Sequence, residues 1–201
     1  MIAVFGGSFN PPTYMHLKIA RDILRYGETD RVIFLPTGDC YDKPDLADAQ
    51  KRMEMLKICI RGYDGMEVSD IDIAEGEYKG TIYALEKIQE MHPHEDIAFV
   101  MGTDNLKEMK TWVRWQELVE NFKFIVVPRD RDKAEDILAS DSFLSAYRSR
   151  FLISQIGRMN ISSTALRNIL AQGGIPEHIH PEVYRYIKEN ELYETRMEVP
   201  V

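Results

Sequence analysis

The chain has little cysteine. Cys40 and Cys59 are the only two in 201 residues, they do not share C-x-x-C spacing, and a disulfide scaffold is excluded. Positive charge is in deficit: 25 Lys and Arg stand against 33 Asp and Glu, a net charge of −8. A general nucleic-acid binder needs a basic face, so that class is excluded. An acidic protein still binds nucleotides where its few cations converge. No apolar run approaches the roughly 20 residues of a membrane-spanning helix. A P-loop needs Gly-Lys-Ser/Thr and a dinucleotide fingerprint needs G-x-G-x-x-G, and the chain has neither at its glycine-rich start. The two H-x-H pairs, His92-Pro93-His94 and His178-Ile179-His180, have no neighbouring Cys or carboxylate cluster. They read as loop histidines rather than zinc ligands. With no internal repeat, low-complexity tract or linker, one reduced, cytoplasmic domain spanning 1–201 is expected.

What the chain does have is alternation. Apolar residues make up 44% of it, enough for a sizeable core. Strand patterns at Ile2 to Phe5, Arg31 to Leu35, Met66 to Ser69, Asp96 to Met101, Lys123 to Val127 and Phe151 to Ile156 interleave with helical ones. The helical patterns cover Tyr14 to Arg25, Ala49 to Arg61, Thr81 to Met91, Ser163 to Ala171 and Pro181 to Asn190. Strands that alternate with helices imply right-handed βαβ units and a parallel sheet. In such sheets the ligand lies at the carboxyl ends of the strands.

The most informative stretch is Phe5-Gly6-Gly7-Ser8-Phe9-Asn10-Pro11-Pro12-Thr13-Tyr14-Met15-His16. An apolar strand runs into two glycines, two prolines hold the backbone extended, and Thr13 and His16 lie three apart where a helix begins. Glycines let backbone N–H groups approach an anion, and a helix N-terminus presents unpaired N–H groups. This unit predicts a phosphate site. A tight turn with a buried polar histidine is the plainer alternative. Near the far end, Ile161-Ser162-Ser163-Thr164-Ala165-Leu166-Arg167 places Ser162 or Ser163 as a helix cap, with Arg167 about one turn in.

The two segments together resemble the paired signatures of the nucleotidyltransferase superfamily that holds the nicotinate and nicotinamide mononucleotide adenylyltransferases. The resemblance runs from Ile2 to about Tyr193. It implies an α/β fold, a Rossmann-like, doubly wound parallel sheet in a single domain with C-terminal helices. It implies adenylyl transfer from ATP to nicotinate mononucleotide, giving nicotinate adenine dinucleotide and pyrophosphate in NAD biosynthesis. His16 and Arg167, with Thr13 at the first polar position of the motif, would be the catalytic residues. Gly6, Gly7, Ser8, Phe9, Gly102, Asp104, Ser163 and Thr164 would bind ATP. Lys43, Arg52, Thr81 and Trp112 would bind the mononucleotide. Lys43 and Arg52 would take its phosphate, and Trp112 would stack on the pyridine ring. Trp115 is the competing tryptophan and reads as packing.

The attacking phosphate is already ionised at neutral pH, so no general base is required. Magnesium would arrive on the ATP phosphates, with no dedicated protein cage. No nucleic acid and no membrane is expected as a partner, and oligomeric state stays open. Met15 and Gly38-Asp39-Cys40-Tyr41-Asp42-Lys43 resemble the eukaryotic nicotinamide branch, whereas Gly102 to Trp112 looks bacterial. A nicotinamide or dual-specificity enzyme is therefore the nearest alternative. A pantetheine-phosphate type of transferase is the next, and a silent nucleotide-binding regulator comes from a different class. Residues 129–150 carry no functional reading.

Overall fold

An extended Ile-Ala-Val-Phe run turns apolar side chains to both faces of a strand. The computed structural model, which describes residues 1–27, 29–39, 45–74, 79–129, 133–155 and 162–194, buries both. Ile2 and Val4 pack on one side with Leu85, Phe99 and Phe124. Ala3 and Phe5 pack on the other with Ile19, Ile23 and Ile125. That strand, β1 (Ile2–Gly7), leads to α1 (Tyr14–Tyr26), β2 (Arg31–Pro36), α2 (Ala49–Ile60) and β3 (Met66–Val68). Then come α3 (Ile71–Ala74), α4 (Thr81–Met91), β4 (Ile97–Gly102), α5 (Thr103–Glu108), α6 (Trp115–Asn121) and β5 (Lys123–Val127). The chain continues through α7 (Ala134–Ala139), α8 (Ser142–Ala146), β6 (Phe151–Ile153), α9 (Ser163–Ala171) and α10 (Pro181–Glu189).

The six strands form one sheet in the order β3-β2-β1-β4-β5-β6. Every neighbouring pair is parallel. This is the doubly wound Rossmann order that the alternation predicts. The order reverses between β1 and β4, so the loops leaving those two strands diverge and open a crevice at their carboxyl ends. A third apolar cluster joins Met55 and Cys59 of α2 to Leu166, Leu170, Val183 and Ile187 of α9 and α10. It holds the C-terminal helices against α2. Burial pushes the Cys59 thiol up to about 12, which suits a core residue rather than a nucleophile. No helix among the described residues is long and apolar enough to cross a membrane.

Element positions differ from the sequence reading mainly where elements are short. The strand expected over 151–156 is Phe151–Ile153, and Ile156 lies outside the described residues. Helices α3, with four residues, and α5, with six, are not among the helical patterns of the sequence. Neither is long enough to show a helical period.

Arg52 is a correction. It is fully buried on α2 and sits beneath the crevice, not in it. Its Nε donates to the Ala47 carbonyl at 2.6 Å, Nη1 to the Ser8 carbonyl at 2.9 Å and Nη2 to the Thr37 carbonyl at 2.7 Å. Nη2 also reaches Asp39 Oδ1 at 3.2 Å. A guanidinium committed to these acceptors braces three loop segments and is not placed to take a substrate phosphate. Replacing Arg52 by Met should leave those carbonyls without a donor and cost about 3 kcal/mol or more. Thermal unfolding should show this as a fall of roughly 6–12 °C in a domain of this size. An unchanged midpoint would return Arg52 to the list of candidate ligands.

Candidate active site

A cleft of about 360 Å³ opens at the β1–β4 reversal. Gly6, Gly7, Ser8 and Phe9 line it from the β1 loop, His16 from α1, and Ser162, Ser163, Thr164 and Arg167 from the start of α9. The two signatures, some 150 residues apart, thus face one space. Leu35, Thr37, Asp72, Thr81, Phe99 and Trp112 also line it, with Asp104, Asn105, Glu108 and Arg129.

His16 is held from three sides. Phe9 meets its ring edge-to-face at 5.0 Å and Phe5 tilts against it at 6.0 Å. The Thr13 backbone N–H donates to His16 Nδ1 at 2.9 Å, the ring half of a capping box. A nitrogen that accepts a backbone N–H carries no proton, so the neutral ring keeps its hydrogen on Nε2. Burial first, and the Arg129 charge second, lower the His16 pKa to about 3. The cleft is thus offered a neutral N–H donor. Thr13 is buried and does not line the cleft. Its Oγ1 lies 2.9 Å from His16 Nδ1. Expected as a catalytic residue, Thr13 instead orients the one beside it.

At α9 the open question of the cap resolves. Ser162 Oγ accepts from the Ala165 N–H at 3.0 Å and is the cap. Ser163 donates its single hydroxyl proton to the Pro11 carbonyl at 2.9 Å, so it is not the free phosphate donor expected of it. Arg167 Nη1 donates to the Asn10 carbonyl at 2.9 Å. Its Nη2 lies 3.5 Å from Thr164 Oγ1, and both residues line the cleft.

Two glycines matter for close approach. A Cβ on Gly6 would lie 2.6 Å from Cζ of Phe99, so its absence seats the Phe99 ring. That ring in turn meets Trp112 edge-to-face at 6.0 Å. Gly102 does not itself line the cleft. A Cβ there would meet Asp104 Oδ1 at 2.1 Å and Arg129 Cδ at 3.0 Å, so the glycine makes room for that pair. Phe9 enters through its backbone, because its ring is buried among Phe5, Phe34 and His16. Trp112 and Thr81 line the cleft as expected, whereas Trp115 packs edge-to-face on Phe143 at 5.0 Å against the core. Lys43 lies outside the described residues, as does Cys40.

Sequence reasoning missed Arg129 and Asp72. Arg129 Nη1 lies 3.3 Å from Asp104 Oδ2, and its backbone exchanges hydrogen bonds with Thr103 Oγ1 at 2.9 and 3.1 Å. It stands two residues beyond β5, at the carboxyl edge where ligands bind, and that position was its signal. Asp72 follows β3 in the same way, and burial raises its carboxyl to about 6. Among the described residues the cleft carries two cations, Arg129 and Arg167, and three carboxylates, Asp72, Asp104 and Glu108. Among the described residues no group of three or more His, Cys, Asp or Glu could hold a metal ion.

Compared with known proteins, residues 4–169 match the family model described as cytidylyltransferase-like. A probable nicotinate-nucleotide adenylyltransferase of Caldicellulosiruptor bescii is 33% identical over 194 residues, covering 96% of this chain and 98% of its own. One of Neisseria meningitidis serogroup B is 33% identical over 203 residues, covering 96% and 98%. Among solved structures, the Plasmodium falciparum nicotinic acid mononucleotide adenylyltransferase complexed with NaAD superposes with a TM-score of 0.80 at 23% identity, over 96% of each chain. At that identity the likeness shows the fold. A putative nicotinate-nucleotide adenylyltransferase from Vibrio parahaemolyticus gives 0.68 at 25% identity, over 96% of this chain and 94% of that one.

The His16 geometry makes a stability prediction. Above pH 6.5 the ring is neutral in the folded and the unfolded chain, and contributes no pH dependence. Below 6.5 the unfolded chain takes up a proton that the folded one refuses until about pH 3. Stability should therefore drop as pH is lowered from 6.5 toward 3, and His16→Gln should flatten that part of the slope. Urea unfolding at several pH values measures it. Equal slopes for wild type and variant would overturn the neutral assignment.

Proposed function

The chain belongs to the cytidylyltransferase-like family, among its nicotinate-nucleotide adenylyltransferases, and from that premise we propose that it transfers AMP from ATP to nicotinate mononucleotide. One observation carries the reading: the β1 loop with His16 and the α9 start with Arg167 meet across one cleft at the sheet's reversal point.

The acceptor's 5′-phosphate oxygen attacks the α-phosphorus of ATP. A new P–O bond forms, the bond to the bridging oxygen of the β-phosphate breaks, and pyrophosphate leaves with the electron pair. Positioning and charge neutralisation supply most of such a catalysis. His16 gives its Nε2–H to a phosphate oxygen, and a ring with its pKa near 3 stays in that form throughout the neutral range. Arg167 and Arg129 bring positive charge to the polyphosphate. The hydroxyl of Thr164 and the first N–H groups of α9 add donors. Asp104 takes the ribose hydroxyls. The Trp112 face receives the pyridine ring, with Phe99 beside it and Thr81 near its substituent. Magnesium, when bound to the ATP phosphates, would neutralise charge there, with no protein cage among the described residues.

Incubation with ATP, magnesium and each mononucleotide in turn, followed by detection of dinucleotide and pyrophosphate, tests the reaction. The nicotinate form should give the larger kcat/KM, and a clear preference for the nicotinamide form would overturn the acceptor assignment. Trp112→Ala should raise the KM for the mononucleotide about tenfold, since a lost base–aromatic stack costs on the order of 1–3 kcal/mol. The KM for ATP should change little. Trp115→Ala should lower thermal stability and leave the ratio of the two KM values intact. A selective acceptor defect at Trp115 would exchange the two roles.

A further inference from the structure

Tyr193 stands beyond α10, outside both signature segments, yet its hydroxyl ends at the β1 loop. It donates to Asn10 Oδ1 at 2.7 Å. The orientation of the Asn10 carboxamide is fixed from both sides: Nδ2 donates to the Asp45 carbonyl at 2.8 Å, and Oδ1 also accepts the Ala47 N–H at 3.1 Å. The main-chain carbonyl of this same Asn10 receives Arg167 Nη1 at 2.9 Å. One residue therefore joins the C-terminal segment to a phosphate-facing cation.

Two further observations point the same way. Tyr193 holds φ at 63° and Glu191 holds 51°, in the left-handed region that bulky residues rarely adopt. Such a backbone persists where surrounding contacts over-determine it, and the hydroxyl bond to Asn10 is one of those contacts. The phenol also sits within the fields of Arg167 and Arg52, which oppose the upward shift that burial gives its pKa.

We infer that Tyr193 is a positioning residue for Arg167, acting through Asn10 to hold the guanidinium against the ATP site. The inference rests on the reading of Arg167 as an ATP-phosphate cation. Without the phenol hydroxyl, Asn10 Oδ1 keeps only the Ala47 N–H. The loop carbonyl that anchors Arg167 is then less restrained, and the cation covers a wider range of positions. Acceptor binding, on the Trp112 wall, does not depend on this contact.

The test is a double-mutant cycle on the full chain, with Tyr193→Phe, Arg167→Ala and the double variant. kcat/KM for ATP is taken from initial rates, which stay measurable without saturation, and titration with a non-hydrolysable ATP analogue reads binding directly. Tyr193→Phe should lower kcat/KM for ATP about three- to tenfold, the range of one neutral hydrogen bond. It should leave the KM for the mononucleotide within twofold. In the Arg167→Ala background the same change should have less than a twofold effect, because the residue it acts through is gone. A general structural role would lower both substrates' parameters together, or would cost as much without Arg167 as with it. Either result, or no loss at all, overturns the inference. A wild-type protein that makes dinucleotide from neither acceptor would overturn the proposed reaction instead, and the analogue titration would still decide the role of Tyr193.

Discussion

The buried guanidinium of Arg52 is the constraint on which the upper half of the molecule depends. A parallel sheet gives its carboxyl edge to loops, and loops have main-chain carbonyls that need donors once buried. Here three such carbonyls, from Ser8, Thr37 and Ala47, point to one place under the cleft, and one side chain answers all three. Only the planar fork of arginine fits that task. A lysine ammonium would present its three donors from one point. Burying the charge opposes this arrangement, since desolvation lowers the Arg52 pKa, while the Asp39 carboxylate raises it. Three carbonyls and the Asp39 carboxylate offset that penalty. The loop after β1, the loop after β2 and the entry to α2 are thus fixed relative to one another before any ligand arrives.

On this platform the cleft keeps two kinds of donor apart. Arg129 and Arg167 carry full charge, and His16 carries none. The two facts are linked, because the Arg129 field helps to hold the imidazole neutral. The larger cause is desolvation: Phe5 and Phe9 pack on the ring, and Nδ1 accepts the Thr13 N–H. A neutral histidine fixed as an Nε2–H donor differs from a titrating one, since its hydrogen bond persists over the neutral pH range. Carboxylates at Asp104 and Glu108 flank the cations. Asp104 and Arg129 are both half-exposed, so their mutual attraction is screened by solvent and contributes little to stability. Arg129 is held instead through Thr103, whose hydroxyl bonds its backbone on both sides.

What was legible in the sequence follows from period and punctuation. β1, β2, β4 and β5 are apolar on both faces, which only a covered parallel sheet accommodates, and their bounds match the expected ones closely. The Pro-Gly pattern around α9 and α10 marked their ends in the same way. The glycine-rich turn and helix start pointed to His16, whereas Arg167, Thr81 and Trp112 came from the family resemblance, and all four line one cleft. Arg52 was misread because its partners lie 5, 15 and 44 residues away. An arginine one turn into a helix after an acidic loop looks like a ligand until those carbonyls are seen. Ser163 was misread for a similar reason, since its proton goes to Pro11, 152 residues earlier. Arg129 and Asp72 stand alone in unremarkable sequence. Only the strand order says which loop ends share a cleft.

Asn10 shows how these long-range contacts combine. Its carboxamide binds Asp45 and Ala47 before α2, and Tyr193 after α10. Its carbonyl takes Arg167 from α9. Ala47 is itself held by Arg52 through its carbonyl and by Asn10 through its N–H, so the two buried polar residues share a partner. Networks of this kind strengthen one another in a low dielectric, and a gap in them is correspondingly costly. The consequence is mechanical. The segment that carries Ser8, Phe9 and Asn10 cannot shift toward the cleft without breaking contacts to α2, α9 and the chain beyond α10 together. A phosphate site built from loops gains the rigidity of the helices behind it, and the C-terminal helices, which contribute only α9 to the cleft wall, hold its floor in place.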